Sequence, residues 1–344
     1  MSADPVVEIR GLTKVFRDFW RRPVVRAVED LHLSIPAGEV FGLLGPNGSG
    51  KSTTIKMVLG LLWPTRGVVA VFGRPPSDPR ARARLGYLPE ESCLYPGLTA
   101  AETLDFFGRL FDLPTAERRR RVDQLLEMVG LAHVRRRRVG EFSKGMARRI
   151  GLAQALINDP DLVILDEPTA GLDPIGCRQV KDLIRALARR GKTVLLSSHL
   201  LADVEDVCDR VAILHGGRLQ TVGPVADLLE EKRRRRLTLA DVSDEAFEQV
   251  VESARRLSGV EPEVDRPRKD LETFFIEVVG RAGASDRETT GAVPEERPVA
   301  PYLASAETAS AERVDSLGSP DERLRRLVVN ENARPESGGG QRRP

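Results

Sequence analysis

Short apolar runs alternate along residues 5–230 with segments whose apolar residues recur every three or four positions. The runs are typical of strands buried in a parallel sheet, and the longer period is typical of amphipathic helices. The strands predicted in this way are Val6–Arg10, Val40–Leu44, Val68–Phe72, Leu162–Asp166, Thr193–Ser197 and Val211–Leu214. The alternation predicts an α/β domain over residues 5–230.

The pattern changes twice after this domain. Residues 237–280 predict a small unit of alternating strands and helices, with one helix over Asp244–Leu257. Beyond Arg281 the sequence is polar and rich in Pro, Ala, Glu and Arg, and Tyr302 is its only aromatic residue. Such a composition buries too little apolar surface to offset chain entropy, so we expect residues 281–344 to be mostly disordered.

Composition narrows the class of protein. The chain of 344 residues is 41% hydrophobic and carries a formal net charge of +2, so it makes no strong demand for a polyanionic partner. We therefore expect no nucleic acid among its partners. Cys93, Cys177 and Cys208 stand far apart, which argues against a disulfide framework and against a zinc site, and suits a reducing cytosol. No apolar run approaches the roughly 18–20 residues of a membrane span, so any membrane role is expected to act through a partner.

A glycine-rich segment directly follows the predicted strand Val40–Leu44 and carries the clearest chemistry. Glycines let backbone N–H groups approach a phosphate, Lys51 places a positive charge beside the β- and γ-phosphates, and the Ser52 hydroxyl can bind Mg²⁺. The helix predicted after the segment points its N-terminus at the anion. The predicted phosphate-binding residues are Gly45, Pro46, Asn47, Gly48, Ser49, Gly50, Lys51, Ser52 and Thr53.

Two carboxylates follow another apolar strand. Asp166 ends the run Leu162–Asp166 and Glu167 follows it directly, and ligands bind at the carboxyl ends of strands in open α/β sheets. Asp166 is expected to hold the Mg²⁺ shell, and Glu167 is expected to orient and polarise the attacking water. A serine then marks the start of a further helix: Ser143 is a good N-cap, Gly145 permits close approach, and the helix N-terminus offers a second anion site.

Together these segments resemble the ATPase subunit of ATP-binding cassette (ABC) transporters, in the branch that serves drug and natural-product exporters with separate membrane subunits. The resemblance covers residues 5–230 and is carried by the ordered motifs GPNGSGKST, FSKGM, LVILDEP, AGLDP and SSH. It implies a P-loop NTPase fold with a mostly parallel core sheet, an antiparallel β portion and a helical subdomain at about residues 95–160. It also implies a small α+β appendix over residues 237–280.

The resemblance assigns further roles. The loop Ser143-Lys144-Gly145 would cap the γ-phosphate bound by an opposite subunit, and Asp173 would cross the dimer interface. His199 would contact the γ-phosphate and help to hold the attacking water, and Phe16 would stack on adenine. Phe19 and Trp20 lie near Phe16 in the sequence, so the choice of aromatic residue stays open. Lys51, Glu167 and His199 would form the catalytic set.

Two positions depart from the family pattern. Glu90 stands where the family generally has a glutamine that reaches Mg²⁺, so it keeps an oxygen ligand but adds negative charge. Lys144 and Met146 replace a glycine and a glutamine in the signature loop, which adds a cation near the partner's phosphate. The expected metal ligands are therefore Ser52, Glu90 and Asp166.

The expected function is MgATP hydrolysis at a head-to-tail dimer interface, which powers export by a separate membrane permease. Such a chain would lie on the cytoplasmic face of the cell membrane. Two alternatives remain at this point: a soluble cassette ATPase acting on nucleic acid or ribosomes, and a nucleotide-binding regulatory module without turnover. Intact Lys51, Ser52, Asp166 and Glu167 disfavour the last of these.

Overall fold

The computed structural model describes residues 5–20, 22–91, 93–230, 237–239, 242–264 and 299–304. The described strands are β1 (Pro5–Arg17), β2 (Pro23–Pro36), β3 (Val40–Leu44), β4 (Arg66–Val71), β5 (Leu85–Leu88), β6 (Leu162–Asp166), β7 (Thr193–Ser198), β8 (Arg210–His215) and β9 (Arg218–Pro224). The described α-helices are α1 (Lys51–Val58), α2 (Pro79–Arg82), α3 (Ala100–Leu110), α4 (Thr115–Met128), α5 (Lys144–Leu156), α6 (Pro174–Ala188), α7 (Leu201–Val207), α8 (Val225–Leu229) and α9 (Asp244–Ser258).

The central sheet has the strand order β5-β6-β7-β3-β8-β9, and all neighbours are parallel except β8 and β9. Successive residues of β6 alternate between two hydrophobic cores: Val163 and Leu165 enter one, and Leu162 and Ile164 enter the other. Both faces of the sheet are therefore covered, which is why the strand sequence is apolar throughout. The α/β prediction is confirmed, and the predicted strand Leu162–Asp166 has the bounds of β6.

A second, antiparallel sheet has the order β2-β1-β4. Its first strand runs from Pro5 to Arg17 and is longer than the predicted Val6–Arg10, because pairing with β2 continues through Leu12 opposite Leu31 and Phe16 opposite Val25. Strands β1 and β2 thus form a β-hairpin whose tip follows Phe16. Cross-strand partners fixed this length, and the local sequence alone did not show them.

Helices α3, α4 and α5 share one core, in which Leu104, Leu125 and Ile150 are fully buried. Helix α3 starts at a capping box, where Thr99 and Glu102 satisfy each other's backbone N–H groups. These helices lie within the stretch predicted as the helical subdomain, whose boundaries remain a prediction. None of the helices in the described part of the chain combines the length and apolar character that a membrane crossing needs.

The described residues within 226–264 belong to a second unit of the chain. Its described helix α9 confirms the predicted helix over Asp244–Leu257: Ser243 accepts a hydrogen bond from the N–H of Ala246 at 3.3 Å, and Gly259 ends the helix with φ of 68°. The rest of the predicted unit over 237–280 lies largely outside the described residues.

Residues Val299–Ala304 pack against the larger unit, although they belong to the stretch predicted to be mostly disordered. Tyr302 is 7% exposed, its hydroxyl donates to the carbonyl of Leu156 at 3.1 Å, and the Arg121 guanidinium lies 4.4 Å from the ring centroid. Arg190 donates to the carbonyl of Ala300 at 2.9 Å, and Leu303 is fully buried. The prediction of disorder therefore does not hold for residues 299–304. The other residues of the stretch 281–344 lie outside the described part of the chain.

We expect Tyr302→Ala to lower the free energy of unfolding by about 3 kcal/mol, since it removes a buried ring together with its hydrogen bond. Tyr302→Phe keeps the ring and is expected to cost only about 1 kcal/mol. Urea unfolding of the full chain followed by circular dichroism measures both. Equal stability of Tyr302→Ala and the wild-type protein would show that the segment is not bound in solution.

Candidate active site

The strand order places several loops at one edge of the central sheet. Strands β6, β7 and β3 are neighbours, with Asp166 opposite Ser197 and Leu44 opposite Ser198. Since these strands are parallel, the segment after each carboxyl end opens at the same edge. Residues that are far apart in the sequence therefore meet there.

The glycine-rich loop after β3 has a backbone that requires glycine. Gly45 and Gly50 have φ of 152° and 105°, where residues with a side chain are rarely found. A Cβ at Gly45 would lie 2.3 Å from the carbonyl oxygen of Leu214, and one at Gly50 would lie 2.5 Å from that of Ala27. Helix α1 begins at Lys51, so its free N–H groups face this loop. The loop and helix have the backbone geometry that an anion site requires, and phosphate binding by these residues stays a prediction.

The Lys51 side chain is buried within the loop. Its Nζ donates to the carbonyl of Gly45 at 2.7 Å and to that of Pro46 at 3.3 Å. The same nitrogen lies 3.8 Å from Oε1 of Glu167. The positive charge of Lys51 is therefore held between the glycine-rich loop and the carboxylate of Glu167.

Ser52 and Asp166 bring two oxygen donors together. The Ser52 hydroxyl lies 3.5 Å from Oδ1 of Asp166, and the Ser197 hydroxyl donates a short hydrogen bond to the same carboxylate oxygen. Mg²⁺ prefers oxygen ligands and is usually held by one or two protein groups together with substrate phosphates. This pair of oxygen ligands beside the predicted anion site fits that requirement, so both residues suit the predicted metal role.

Glu167 adopts an unusual backbone conformation for a residue with a side chain, with φ of 50°. Its N–H donates to both the carbonyl and the hydroxyl of Ser197, each at 3.1 Å. Its Oε2 lies 2.8 Å from Nδ1 of His199. The structure thus brings together the three predicted catalytic residues Lys51, Glu167 and His199.

Ser197 ends a predicted strand and opens the SSH motif, but the sequence assigned no role to it. It contacts both carboxylate residues, because β6 and β7 are paired with Asp166 opposite Ser197. The signal that could have identified it is its position at the carboxyl end of a strand, one residue before Ser198 and two before His199.

The predicted signature loop and Asp173 stay at the surface of this single chain. The exposed Ser143 caps α5 by accepting from the N–H of Met146 at 3.3 Å, and Asp173 caps α6 by accepting from that of Gly176 at 2.9 Å. Lys144 extends over Gly171, where an added Cβ would lie 2.4 Å from its Nζ. Their predicted roles involve a second subunit and stay predictions.

Phe16 is 41% exposed and lies near the end of β1, which pairs with the strand β2 that contacts the glycine-rich loop. It pairs with Val25, two residues from Ala27, whose carbonyl closely approaches Gly50. Its neighbours in the hairpin tip, Phe19 and Trp20, stack edge to face with ring centroids 5.8 Å apart. Proximity to the loop favours Phe16 for adenine stacking, and the role stays a prediction.

Glu90 lies in the loop after β5 and its residue is exposed. Its carbonyl accepts a hydrogen bond from Nη1 of Arg148 at 2.9 Å. Nearby on β5, burial and then the charge of Asp166 raise the pKa of Tyr87 to about 12, so its phenol stays protonated. The predicted contact of the Glu90 carboxylate with a metal stays a prediction.

Comparison with known proteins gives a consistent result. A family model described as "ABC transporter" matches residues 28–170. An uncharacterised ABC transporter ATP-binding protein of Synechocystis is 43% identical over 70% of this chain and 69% of its own length. A Nod factor export ATP-binding protein I of Neorhizobium galegae is 41% identical over 65% of this chain and 64% of its own. A solved dimeric ATP-binding cassette in a post-hydrolysis state, bound to ADP and Pi, aligns with a TM-score of 0.59 and 26% identity over 64% of this chain and 98% of its own.

Proposed function

Since this chain belongs to the family of ABC transporter ATP-binding proteins, we propose that it hydrolyses MgATP between two head-to-tail copies and thereby powers export by a separate membrane permease. The fold is that of a P-loop NTPase, and the family is one of ATPases. The observation that carries the proposal is the meeting of Lys51, Asp166, Glu167 and His199 at one sheet edge beside the glycine-rich loop.

Hydrolysis of a phosphoanhydride depends mostly on positioning and on the stabilisation of charge. Lys51 and the N–H groups of the loop bind the β- and γ-phosphate oxygens, and they are already fixed before the reaction begins. Ser52 and Asp166, with Glu90 as a further predicted ligand, would hold Mg²⁺, which would neutralise part of the phosphate charge. Glu167 accepts a hydrogen bond from the attacking water. Nδ1 of His199 holds the Glu167 carboxylate, and the same imidazole would contact the γ-phosphate.

A second copy completes each site. Ser143, Lys144 and Gly145 begin a helix whose N-terminus favours an anion, and this loop together with Asp173 is available at the surface. The similar solved cassette is a dimer, which supports this arrangement. ATP attracted to both halves of the split site closes the dimer, and hydrolysis followed by phosphate release weakens the attraction.

We propose that the transport powered by this chain is export. The name of the Neorhizobium relative supports it, and so does the resemblance of the motifs to exporter ATPases. The cassette of residues 5–230 would bind a permease through its helical subdomain at the cytoplasmic face of the membrane. Residues 237–280 would form a small accessory domain of the same subunit.

We expect the purified full chain to release phosphate from ATP only with Mg²⁺ present, and to shift from monomer to dimer when ATP is added. Phosphate release with and without EDTA, and light scattering after size exclusion, measure the two effects. Co-purification with a multi-span membrane protein tests the transport setting. Absence of any Mg²⁺-dependent ATP binding would contradict the proposal.

A further inference from the structure

Arg148 is a buried cation that the sequence analysis left without a role. It lies in the second turn of α5, and its residue is only 4% exposed. Its guanidinium donates to the carbonyls of Pro89, Glu90, Asp166, Glu167 and Pro168. A guanidinium has five N–H donors, so this one side chain can satisfy five carbonyls from two separate segments.

The hydrogen bonds of Arg148 connect the segment of Asp166 and Glu167 with the loop of Glu90. Nη2 lies 2.5 Å from the carbonyl of Asp166 and 2.6 Å from that of Glu167, and Nη1 lies 2.9 Å from that of Glu90. Burial lowers the pKa of Arg148, while the Asp166, Glu90 and Glu167 carboxylates oppose this shift. Arginine keeps its charge in such surroundings, so the fork of donors persists at any ordinary pH.

The Glu167 backbone is held from both sides. Its N–H is bound by Ser197 and its carbonyl by Arg148, which fixes the left-handed conformation seen at φ of 50°. That conformation directs the carboxylate to His199 at 2.8 Å and to Lys51 at 3.8 Å. Because residues with long side chains rarely adopt it, the bonds on both sides are needed to keep it.

We propose that Arg148 is a positioning residue, which sets the Glu167 carboxylate for water activation and makes that setting depend on α5 and on the loop of Glu90. The inference rests on the proposed function, in which the N-terminus of α5 binds the partner's nucleotide. Movement of α5 when a second copy closes would then reach Glu167 through one rigid side chain. Glu90 would be connected to the same point through its carbonyl.

The test uses Arg148→Gln and Arg148→Lys in the full chain. We expect Arg148→Gln to lower kcat about 10–100-fold, as a displacement of about 1 Å at a reacting group can do, with KM and the affinity for a fluorescent ATP analogue unchanged. Lysine keeps the charge but cannot reach two segments at once, so Arg148→Lys is expected to give an intermediate kcat. If Arg148→Gln does not fold, Arg148→Lys provides the same test with a smaller expected loss of kcat.

Arg121→Gln is the matched control. Arg121 in α4 is partly buried and likewise donates to a carbonyl, that of Ile157 at 2.8 Å, but none of its contacts among the described residues is with Glu167. We expect it to lower thermal stability while kcat stays at the wild-type value. Equal losses of kcat in the two variants would assign Arg148 a general structural role and overturn the inference.

A double variant tests whether Arg148 acts through Glu167. In a Glu167→Gln background, Arg148→Gln is expected to cause no further loss of single-turnover rate, because its target is already absent. A full additional loss would overturn the inference. These failures differ from that of the proposed function, which would appear as no Mg²⁺-dependent hydrolysis by the wild-type chain.

Discussion

Glu167→Gln is expected to hydrolyse ATP about 10²–10⁴-fold more slowly than the wild-type protein, which is the range of general-base assistance. The amide has the size of the carboxylate but cannot accept a proton from water. Because the amide is uncharged, the variant also loses the attraction between this side chain and Nζ of Lys51, which lies 3.8 Å from Oε1 of Glu167 in the wild-type protein. The lysine is then left free for the γ-phosphate. ATP should therefore still bind, and the ATP-bound dimer should persist.

Single-turnover hydrolysis and size exclusion with MgATP measure these two effects. Glu205→Gln is the control, because Glu205 lies exposed in α7 and has no place in the proposed mechanism. It should retain both the wild-type rate and the reversible dimer. Wild-type turnover in Glu167→Gln would remove this residue from the mechanism.

Lys51→Ala is expected to weaken ATP binding by about 3 kcal/mol, or roughly 100-fold in Kd, since it removes a buried charge that pairs with phosphate. It also removes the hydrogen bonds that tie Nζ to Gly45 and Pro46 across the loop. The loop should thus lose part of its fixed shape as well as its charge. Isothermal titration with a slowly hydrolysed ATP analogue measures the change.

Lys56→Ala provides the comparison, because Lys56 lies in the same helix with its side chain exposed. It removes the same charge from α1 without touching the loop, so the Kd should stay within about twofold at physiological salt. Similar Kd values for Lys51→Ala and the wild-type protein would show that phosphate binds elsewhere.

The features predicted correctly have determinants that are contiguous in the sequence. Strand β6 is apolar because both its faces are buried, and the loop after β3 has glycines at the positions where its backbone conformation requires them. Helices α5 and α9 begin at serine caps that are visible without any tertiary information. Local chemistry was sufficient for each of these.

The features that were missed depend on partners distant in the sequence. Ser197 contacts Asp166 and Glu167 only because of the register between two strands. Nothing in the local sequence distinguishes Arg148 from the other arginines, because its partners are carbonyls of two distant segments that only the fold brings around it. Tyr302 lies in a polar stretch, and only the surface near Leu156 and Arg121 shows why it is bound.

The left-handed backbone of Glu167 has a consequence for engineering this protein. A residue held there costs about 1–3 kcal/mol of conformational energy, which a glycine would largely avoid. Selection for heat resistance alone would therefore favour losing the carboxylate that the proposed chemistry uses. Thermostable variants are better sought elsewhere in the chain, with catalysis scored alongside melting temperature in every round.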